Sequence, residues 1–171
     1  MTAKPRIRTE QPADIETISR ITEAAFRGHP YSQGTEQFII NALRKAGALT
    51  ISLVAEVDGK VAGHIAFSPV EISDGSKDWY ALGPVSVAPQ YQRRGIGSAL
   101  VRAGLEELKQ LGAQGCVLVG DPGFYDRFGF GSRPDLSMEG IPQEIVLSLP
   151  LRAMAASGKI SHHNAFNARG T

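Results

Sequence analysis

The chain has 171 residues, enough for one domain with a substantial core. Its 18 Lys and Arg residues nearly balance 17 Asp and Glu residues, and this argues against a general nucleic-acid binder, which carries a clustered basic excess. Cys116 is the only cysteine, so no internal disulfide can form and a reducing compartment is expected. No apolar run is long enough to span a membrane and the first residues lack a signal peptide's apolar core, so we expect a cytoplasmic protein without a membrane partner.

The first half of the chain predicts two helices and the start of a sheet. Pro12 suits the first turn of a helix, and Thr35 and Gly47 are placed to begin and end a second one. Asp58 and Gly59 form the strongest hairpin signal, because this pair favours the tight turn that joins two antiparallel strands. The predicted elements are a strand at 6–9, helices at 12–25 and 36–46, and strands at 51–57 and 60–67.

The second half predicts a strand, a long helix and a second strand that can run parallel to the first. Pro84 and Pro89 cannot donate hydrogen bonds, so pairing near them should be interrupted on one side. The stretch Gly115–Val119 is apolar throughout, as expected of a strand buried on both faces. The predicted elements are strands at 82–87, 115–119 and 144–149, helices at 96–111 and 122–128, a helical turn at 151–156 and a loosely held tail at 157–171. This order fits a mixed α/β domain.

The turn Gln92-Arg93-Arg94-Gly95-Ile96-Gly97 has the composition of an anion site. It lies between a predicted strand and a predicted helix, where free backbone N–H groups and the helix dipole favour negative charge. Two glycines let the backbone approach a ligand closely and two arginines add positive charge, so a phosphate-bearing ligand is the natural occupant. An ordinary glycine-rich turn with solvated arginines is the alternative.

This turn resembles the Q/R-x-x-G-x-G/A signature of the GNAT family of N-acetyltransferases, and it lies where that family requires it, after a strand and at a helix start. The segment Phe124–Phe130 is similar to the family's second recurring segment, with Tyr125 four residues before a Gly-Phe pair. The resemblance covers about residues 6–151, which leaves 152–171 as a C-terminal tail of a single domain. Leu82-Gly83-Pro84 and Gly120-Asp121-Pro122 resemble a bacterial subgroup of predicted acetyltransferases.

The resemblance implies a fold, an acetyl donor and a set of cofactor-binding residues. The fold would be a mixed, mostly antiparallel sheet of about six to seven strands flanked by helices, with a splayed pair of parallel strands. Acetyl-CoA would lie in the gap, with its pyrophosphate on the turn at 92–98, and would acetylate a primary amine by direct attack in a ternary complex. The implied cofactor-binding residues are Val85, Val87, Gln92, Arg93, Arg94, Gly95, Ile96, Gly97, Ser98 and Phe128.

The catalytic groups follow from the same resemblance. Tyr125 matches the tyrosine that protonates the leaving thiolate, with a purely packing role among its aromatic neighbours as the alternative. Some family members carry a glutamate on the strand before the signature, but Ala81–Val87 contains no carboxylate. We therefore name His64, on the neighbouring hairpin, as a candidate base because its intrinsic pKa suits that role. Glu56 and Glu71 lie on or beside the same hairpin, and ordered water is an equally good base.

Nothing in the sequence separates a peptide amine from a small-molecule amine as acceptor. The loop Gly28–Gly34 and the segment Asp74–Tyr80 are expected to line the acceptor side, where His29, Tyr31 and Trp79 either contact the acceptor or cover the core. We expect a monomer or a homodimer.

Two other interpretations stay open. The missing strand carboxylate leaves room for a non-catalytic acyl-CoA-binding or sensing domain of the same fold. A dinucleotide-binding enzyme is a weaker alternative, since Leu100 stands where the third glycine is required. His162 and His163 have no carboxylate or cysteine cluster beside them, which favours solvated tail histidines over a metal site.

Overall fold

The computed structural model describes residues 4–30, 32–153 and 155–170, so Tyr31 lies outside the described residues. The strands in these ranges are β1 (Arg6–Thr9), β2 (Ile51–Val57), β3 (Lys60–Ile72), β4 (Trp79–Val87), β5 (Gly115–Val119), β6 (Gly131–Ser132), β7 (Leu136–Ser137), β8 (Val146–Pro150) and β9 (Gly158–His162). The α-helices are α1 (Ile15–Phe26), α2 (Glu36–Lys45), α3 (Ile96–Leu111) and α4 (Pro122–Tyr125).

One twisted sheet organises the molecule. Seven strands follow one path in the order β1-β2-β3-β4-β5-β8-β6, and β9 joins β7 to the end of β3. The β4–β5 and β7–β9 pairs are parallel, and the other pairs are antiparallel. The predicted mixed, mostly antiparallel sheet with a parallel pair is therefore confirmed, with β7 and β9 added to it.

Several element boundaries differ from the predictions because of long-range pairing. Strand β3 continues five residues beyond Phe67, and β4 begins at Trp79 rather than Leu82, since Pro69 and Tyr80 pair across the two extensions. The prediction of a loosely held tail is wrong for β9, because Val70 and Ile72 of β3 pair with His162 and Ile160. A 3-10 turn at Gln143–Ile145 delays β8 by two residues, and another at Pro12–Asp14 precedes α1.

The two faces of the sheet are covered by different helices. Helix α3 lies on one face, where Leu100 and Leu108 are fully buried against β2, β3 and β5 residues. Truncating either leucine would cost about 2–5 kcal/mol, so this helix is held firmly. The opposite face is covered by α1 and α2 around Ile18 and Ile40, and by a separate cluster with Trp79 and Ile160 near β9.

Glycine at position 63 of β3 fixes how closely the start of α3 approaches the sheet. A Cβ added to Gly63 would lie 3.0 Å from the Ser86 carbonyl oxygen and 3.1 Å from the Ile96 side chain. The first turn of α3 therefore rests directly on the β3–β4 pair. This packing places the helix N-terminus at the carboxyl end of β4.

Candidate active site

Strands β4 and β5 pair along one half of their length and part along the other. Trp79–Ala81 pairs with Gly115–Val117, but in the described chain no pairing joins the two strands beyond Ala81. At this point β4 also contains a bulge, since the Gly83-Pro84 pair stands where β3 has one residue. A bulge bends its strand, so β4 turns away from β5. We call the space between Leu82–Val87 and the end of β5 the β4–β5 gap.

The edge of β4 that faces this gap offers backbone donors. The Ala88 N–H donates to the Ala62 carbonyl oxygen of β3 at 2.8 Å. Because N–H groups along a strand point alternately to its two sides, those of Val85 and Val87 point away from β3 and into the gap. The Gln92 side-chain amide donates to the Val87 carbonyl oxygen at 3.0 Å, which ties the turn to this edge. Both valines predicted to bind the cofactor thus lie on the wall of the gap.

The N-terminus of α3 opens at the mouth of the gap. Gly95 is its cap residue with a φ of 81°, a left-handed conformation that suits glycine, and no side chain caps the first turn, which lacks an acidic residue. A Cβ added to Gly97 would touch only the Val87 side chain, at 3.9 Å, so the space over the first turn is open. Ile96 is buried and Ser98 half-buried, so the backbone rather than their side chains presents polar groups.

The two arginines of the turn are exposed beside this N-terminus. Arg93 has a φ of 66°, and the Arg94 guanidinium lies 5.6 Å from the centre of the Tyr91 ring. Positive charge beside uncapped N–H groups makes this corner attractive to an anion. The predicted anion-binding turn is therefore present as geometry: glycines, N–H groups and arginines meet at one corner.

Tyr125 lies at the other wall of the gap, in an aromatic cluster on the α3 face. Its ring packs edge-on against Phe124 and Phe130, at centroid distances of 4.9 Å and 5.9 Å. A Cβ added to Gly120, just after β5, would lie 2.7 Å from the same ring. Burial raises the pKa of Tyr125 from 10 to about 12, and the Asp121 carboxylate adds to this. The hydroxyl makes no hydrogen bond to any described residue and stays protonated at neutral pH.

His64 lies on the opposite face of the sheet, and this position argues against the predicted base role. It is 0% exposed beneath α1 and α2, and burial lowers its pKa to about 4. Its Nε2 lies 2.7 Å from the Ser52 hydroxyl, which donates to the Glu10 carboxylate, and Arg44 pairs with the same carboxylate. A proton leaving an amine in the gap has no visible route to this ring. The physical reason for the discrepancy is that alternate side chains of β3 face opposite cores, and His64 faces the closed one.

The residues predicted to line the acceptor side lie in different environments. His29 is exposed after α1 and meets Phe26 edge-on at 6.0 Å. Trp79 is buried in the paired half of β4, where its ring covers Gly115, so it belongs to the core and not to the acceptor side. Asp74 binds backbone N–H groups of Ser76 and Ser157 at the end of the sheet remote from the gap.

His162 and His163 are not solvated tail residues, which corrects that expectation. His162 lies in β9, half-buried, and stacks on Phe166 with ring centroids 4.1 Å apart. His163 Nδ1 accepts a hydrogen bond from the Ala165 N–H at 3.0 Å. No metal-binding cluster of His, Cys, Asp or Glu occurs in the described ranges. Among the same residues, no helix combines the length and hydropathy needed to span a membrane.

Two features of the site were missed by sequence reasoning. Val119, the last residue of β5, is 40% exposed at the gap. The sequence did not indicate this exposure, because Val119 ends a strand that is apolar throughout. The Arg102 guanidinium lies 5.0 Å from the centre of the Phe128 ring and covers it from the α3 side. Arg102 follows Ser98 by four residues, so both lie on one side of α3. This spacing is the sequence signal that could have drawn attention to Arg102.

Comparison with known proteins identifies the family. The acetyltransferase (GNAT) family profile matches residues 15–130. YhbS of Escherichia coli K12, an uncharacterised N-acetyltransferase, is 36% identical over 125 residues, or 72% of each chain. A GNAT family acetyltransferase from Brucella melitensis, solved with acetyl-CoA, is 48% identical with a TM-score of 0.84, over 95% of this chain and 97% of that one. The E. coli YhbS structure, solved with CoA, is 30% identical with a TM-score of 0.87, over 99% of this chain and 96% of that one. The chain belongs to the GNAT acetyltransferase family.

Membership confirms the predicted family, the fold and the acyltransferase class. It also confirms acetyl-CoA as the donor at the level of the family. The roles of individual residues stay predictions.

Proposed function

We propose that this chain transfers the acetyl group of acetyl-CoA to a primary amine by direct attack in a ternary complex. The observation that carries this proposal is the meeting of three features at the β4–β5 gap. They are the uncapped N-terminus of α3, the inward-pointing N–H groups of β4 and the unpartnered hydroxyl of Tyr125. The relatives from Brucella melitensis and E. coli, solved with acetyl-CoA and CoA, support the choice of ligand.

The cofactor would be held by its phosphates and by its backbone-like arm. Phosphate oxygens accept from the N–H groups of the first turn of α3, with Arg93 and Arg94 neutralising their charge. The amide-rich pantetheine arm then lies along β4 as an extra strand, accepting from the N–H of Val85 or Val87. Val119 gives the arm an apolar surface on the β5 side.

The chemistry needs a neutral amine, a polarised carbonyl and a proton for the sulfur. A β4 N–H at the thioester oxygen stabilises the negative charge that forms as the amine attacks. When the C–S bond breaks, the Tyr125 hydroxyl donates its proton to the sulfur, and the phenol regains a proton originating from the amine nitrogen. The products are the N-acetylated amine and the free thiol of CoA, so atoms and charges balance.

Two residues that offered other routes are unsuited by their surroundings. Cys116, the only cysteine in the sequence, is fully buried and burial raises the pKa of its thiol, so no acetyl-cysteine intermediate is expected. The burial of His64 argues against one candidate base. The two glutamates named with it are no better placed, since Glu56 is paired with Arg8 and Glu71 lies where β3 pairs with β9, so we infer ordered water as the base that keeps the amine neutral. These surroundings support direct attack without a covalent enzyme intermediate.

The test is a panel of amines with acetyl-CoA, in which release of free thiol is followed together with the mass of the acetylated product. We expect at least one primary amine to be acetylated, with rates that depend on both substrates in a sequential pattern. Tight acetyl-CoA binding without turnover on any amine would favour the sensing domain instead. Absence of acetyl-CoA binding would overturn both.

A further inference from the structure

An arginine on the second turn of α3 carries a charge without a partner in the described chain. Arg102 is exposed, and its guanidinium makes no hydrogen bond and no ion pair with any described residue. Glu106 follows four residues later on the same helix, yet the two side chains do not pair. The five N–H donors of the guanidinium are therefore free to bind an anion.

Phe128 holds this guanidinium beside the β4–β5 gap. The Arg102 guanidinium carbon lies 5.0 Å from the centre of the Phe128 ring, a distance at which a cation is attracted to an aromatic face. The Phe128 ring lies 6.2 Å from the ring of Tyr125, which borders the gap. The charge is thus kept on the flank of α3 that faces the aromatic wall of the gap.

The same flank begins at the uncapped first turn of α3. Ser98 lies four residues before Arg102, on the same side of the helix and about 6 Å earlier along its axis. Helical side chains lean toward the N-terminus, and this brings the Arg102 guanidinium back toward the N–H groups of the first turn. An anion on these N–H groups and an anion on Arg102 are therefore separated by about one helical turn, or roughly 5–6 Å.

Coenzyme A carries phosphate groups at nearly this separation. Its pyrophosphate and the 3′-phosphate of its ribose are joined through about six bonds near 1.5 Å each, so their phosphorus atoms lie roughly 6–7 Å apart. The proposed function places the pyrophosphate on the first turn of α3 and the pantetheine arm in the gap. The adenosine end must then lie outside the gap, where its 3′-phosphate can reach Arg102.

An open groove beside Arg102 has room for the adenosine. It runs between α3 and Phe128, and its volume of about 490 Å³ is typical of small-molecule sites. Leu105 and Phe128 give it apolar surface, whereas Glu106 disfavours a phosphate deeper in the groove. Lys109 lines the groove seven residues after Arg102, about 10 Å further from the first turn, which is too far for the 3′-phosphate.

We propose that Arg102 binds the 3′-phosphate of coenzyme A and makes the protein select CoA over 3′-dephospho-CoA. This inference rests on the proposed binding of acetyl-CoA. It gives the flank of α3 a role in cofactor specificity, separate from pyrophosphate binding at the turn and from the chemistry in the gap.

The test is calorimetric titration with CoA and with 3′-dephospho-CoA, two ligands that differ only in the 3′-phosphate. The wild type should bind CoA about 10- to 100-fold more tightly, as expected for charge-assisted hydrogen bonds. Arg102→Met keeps an apolar stem over Phe128 and should bind both ligands equally, with the affinity for 3′-dephospho-CoA unchanged. Arg102→Lys should keep part of the preference, because an ammonium replaces the planar fork.

Lys109→Met is the matched control, since it removes the same charge from the same flank of α3, and it should keep the whole preference. Equal affinity of the wild type for the two ligands would overturn the inference, and tight binding of both would leave the proposed function standing. A preference that survives in Arg102→Met would also overturn it, because another cation would then hold the 3′-phosphate.

A third contrary result is an equal loss of affinity for both ligands in Arg102→Met. With an unchanged melting temperature, this loss would assign Arg102 to the pyrophosphate and overturn its role in selecting CoA. If neither ligand binds to the wild type, the proposed function fails, and this inference fails with it.

Discussion

The aromatic cluster around Tyr125 and the polar network around His64 lie on opposite faces of the sheet, and each keeps a buried ring neutral at pH 7. Burial raises the pKa of Tyr125 to about 12 and lowers that of His64 to about 4. The two rings differ in what surrounds their polar atoms. The Tyr125 hydroxyl has no partner among the described residues and borders the gap. His64 is sealed beneath two helices, with Nε2 bound to Ser52 and Nδ1 without a hydrogen-bond partner among the described residues. A shifted pKa therefore indicates chemistry only where the group also reaches a cleft.

The strongest way to break this comparison is to remove the Tyr125 hydroxyl. Tyr125→Phe should lower turnover by roughly 10²- to 10⁴-fold, the usual contribution of a positioned proton donor, and leave acetyl-CoA affinity nearly unchanged. Tyr80→Phe, at a packing tyrosine in the paired half of β4, is the matched control and should be neutral. Steady-state thiol release and calorimetric titration measure the two quantities. Turnover within about threefold of the wild type would assign Tyr125 to packing.

A second variant separates cofactor binding from catalysis. In Gly97→Val the new side chain enters open space above the first turn of α3, where the proposal places phosphate. The affinity for acetyl-CoA should fall by roughly 100-fold, equivalent to losing two charge-assisted hydrogen bonds, with little change in melting temperature. Gly97→Ala is the control, since the signature admits alanine at this position. Unchanged affinity in the valine variant would remove phosphate from the first turn.

The free energy of unfolding, measured as the pH is lowered, should test the His64 side of the comparison. Unfolded histidine binds a proton near pH 6.5, but folded His64 does so only near pH 4. Between these values the unfolded state holds more protons, so the free energy of unfolding is highest above pH 6.5 and falls by about 3 kcal/mol as the pH drops to 4. Glu10, Arg44 and Asp14 face the ring, and the carboxylates add their own loss of stability at lower pH.

His64→Gln is the variant for this measurement. It should flatten the decline between pH 6.5 and 4 in denaturant unfolding experiments and leave turnover of the folded enzyme at pH 7.5 within about threefold. A loss of turnover of 100-fold or more with an intact melting curve would instead restore His64 as the base.

The smallest effect is expected at the arginines of the turn. At least one of Arg93→Ala and Arg94→Ala should weaken acetyl-CoA binding by about 10- to 100-fold and reduce its salt dependence, since screening acts on exposed charges. Lys60→Ala, on the β2–β3 hairpin, controls for the change in net charge. Wild-type affinity in both arginine variants would show that they are solvated.

Local signals predicted the shape of the glycine turn at 92–97 and of the hairpin well, because the residues that create those shapes lie within them. Asp58 and Gly59 both adopt positive φ in the turn, and Gly112 ends α3 with a φ of 84°. The irregular part of β4 could also be predicted from the sequence. Pro84 predicted an interruption in strand pairing, and it occurs as a bulge.

What escaped prediction depends on partners far along the chain. Strand β9 was missed because its five residues carry little periodicity and are strands only through pairing with β3 and β7. His64 was placed correctly on a strand, but no local feature of the sequence indicates which face of the sheet its side chain occupies.

Strand β9 also has a consequence for how the protein is made. Synthesis delivers β3 long before Gly158–His162, so for most of translation the end of β3 is an unpaired edge beside the apolar cluster of Trp79 and Val117. Such an edge is a template for pairing with other chains. We therefore expect the nascent chain to need protection of this edge until β9 emerges, and a stop codon before β9 to produce a fragment prone to aggregation rather than a slower enzyme.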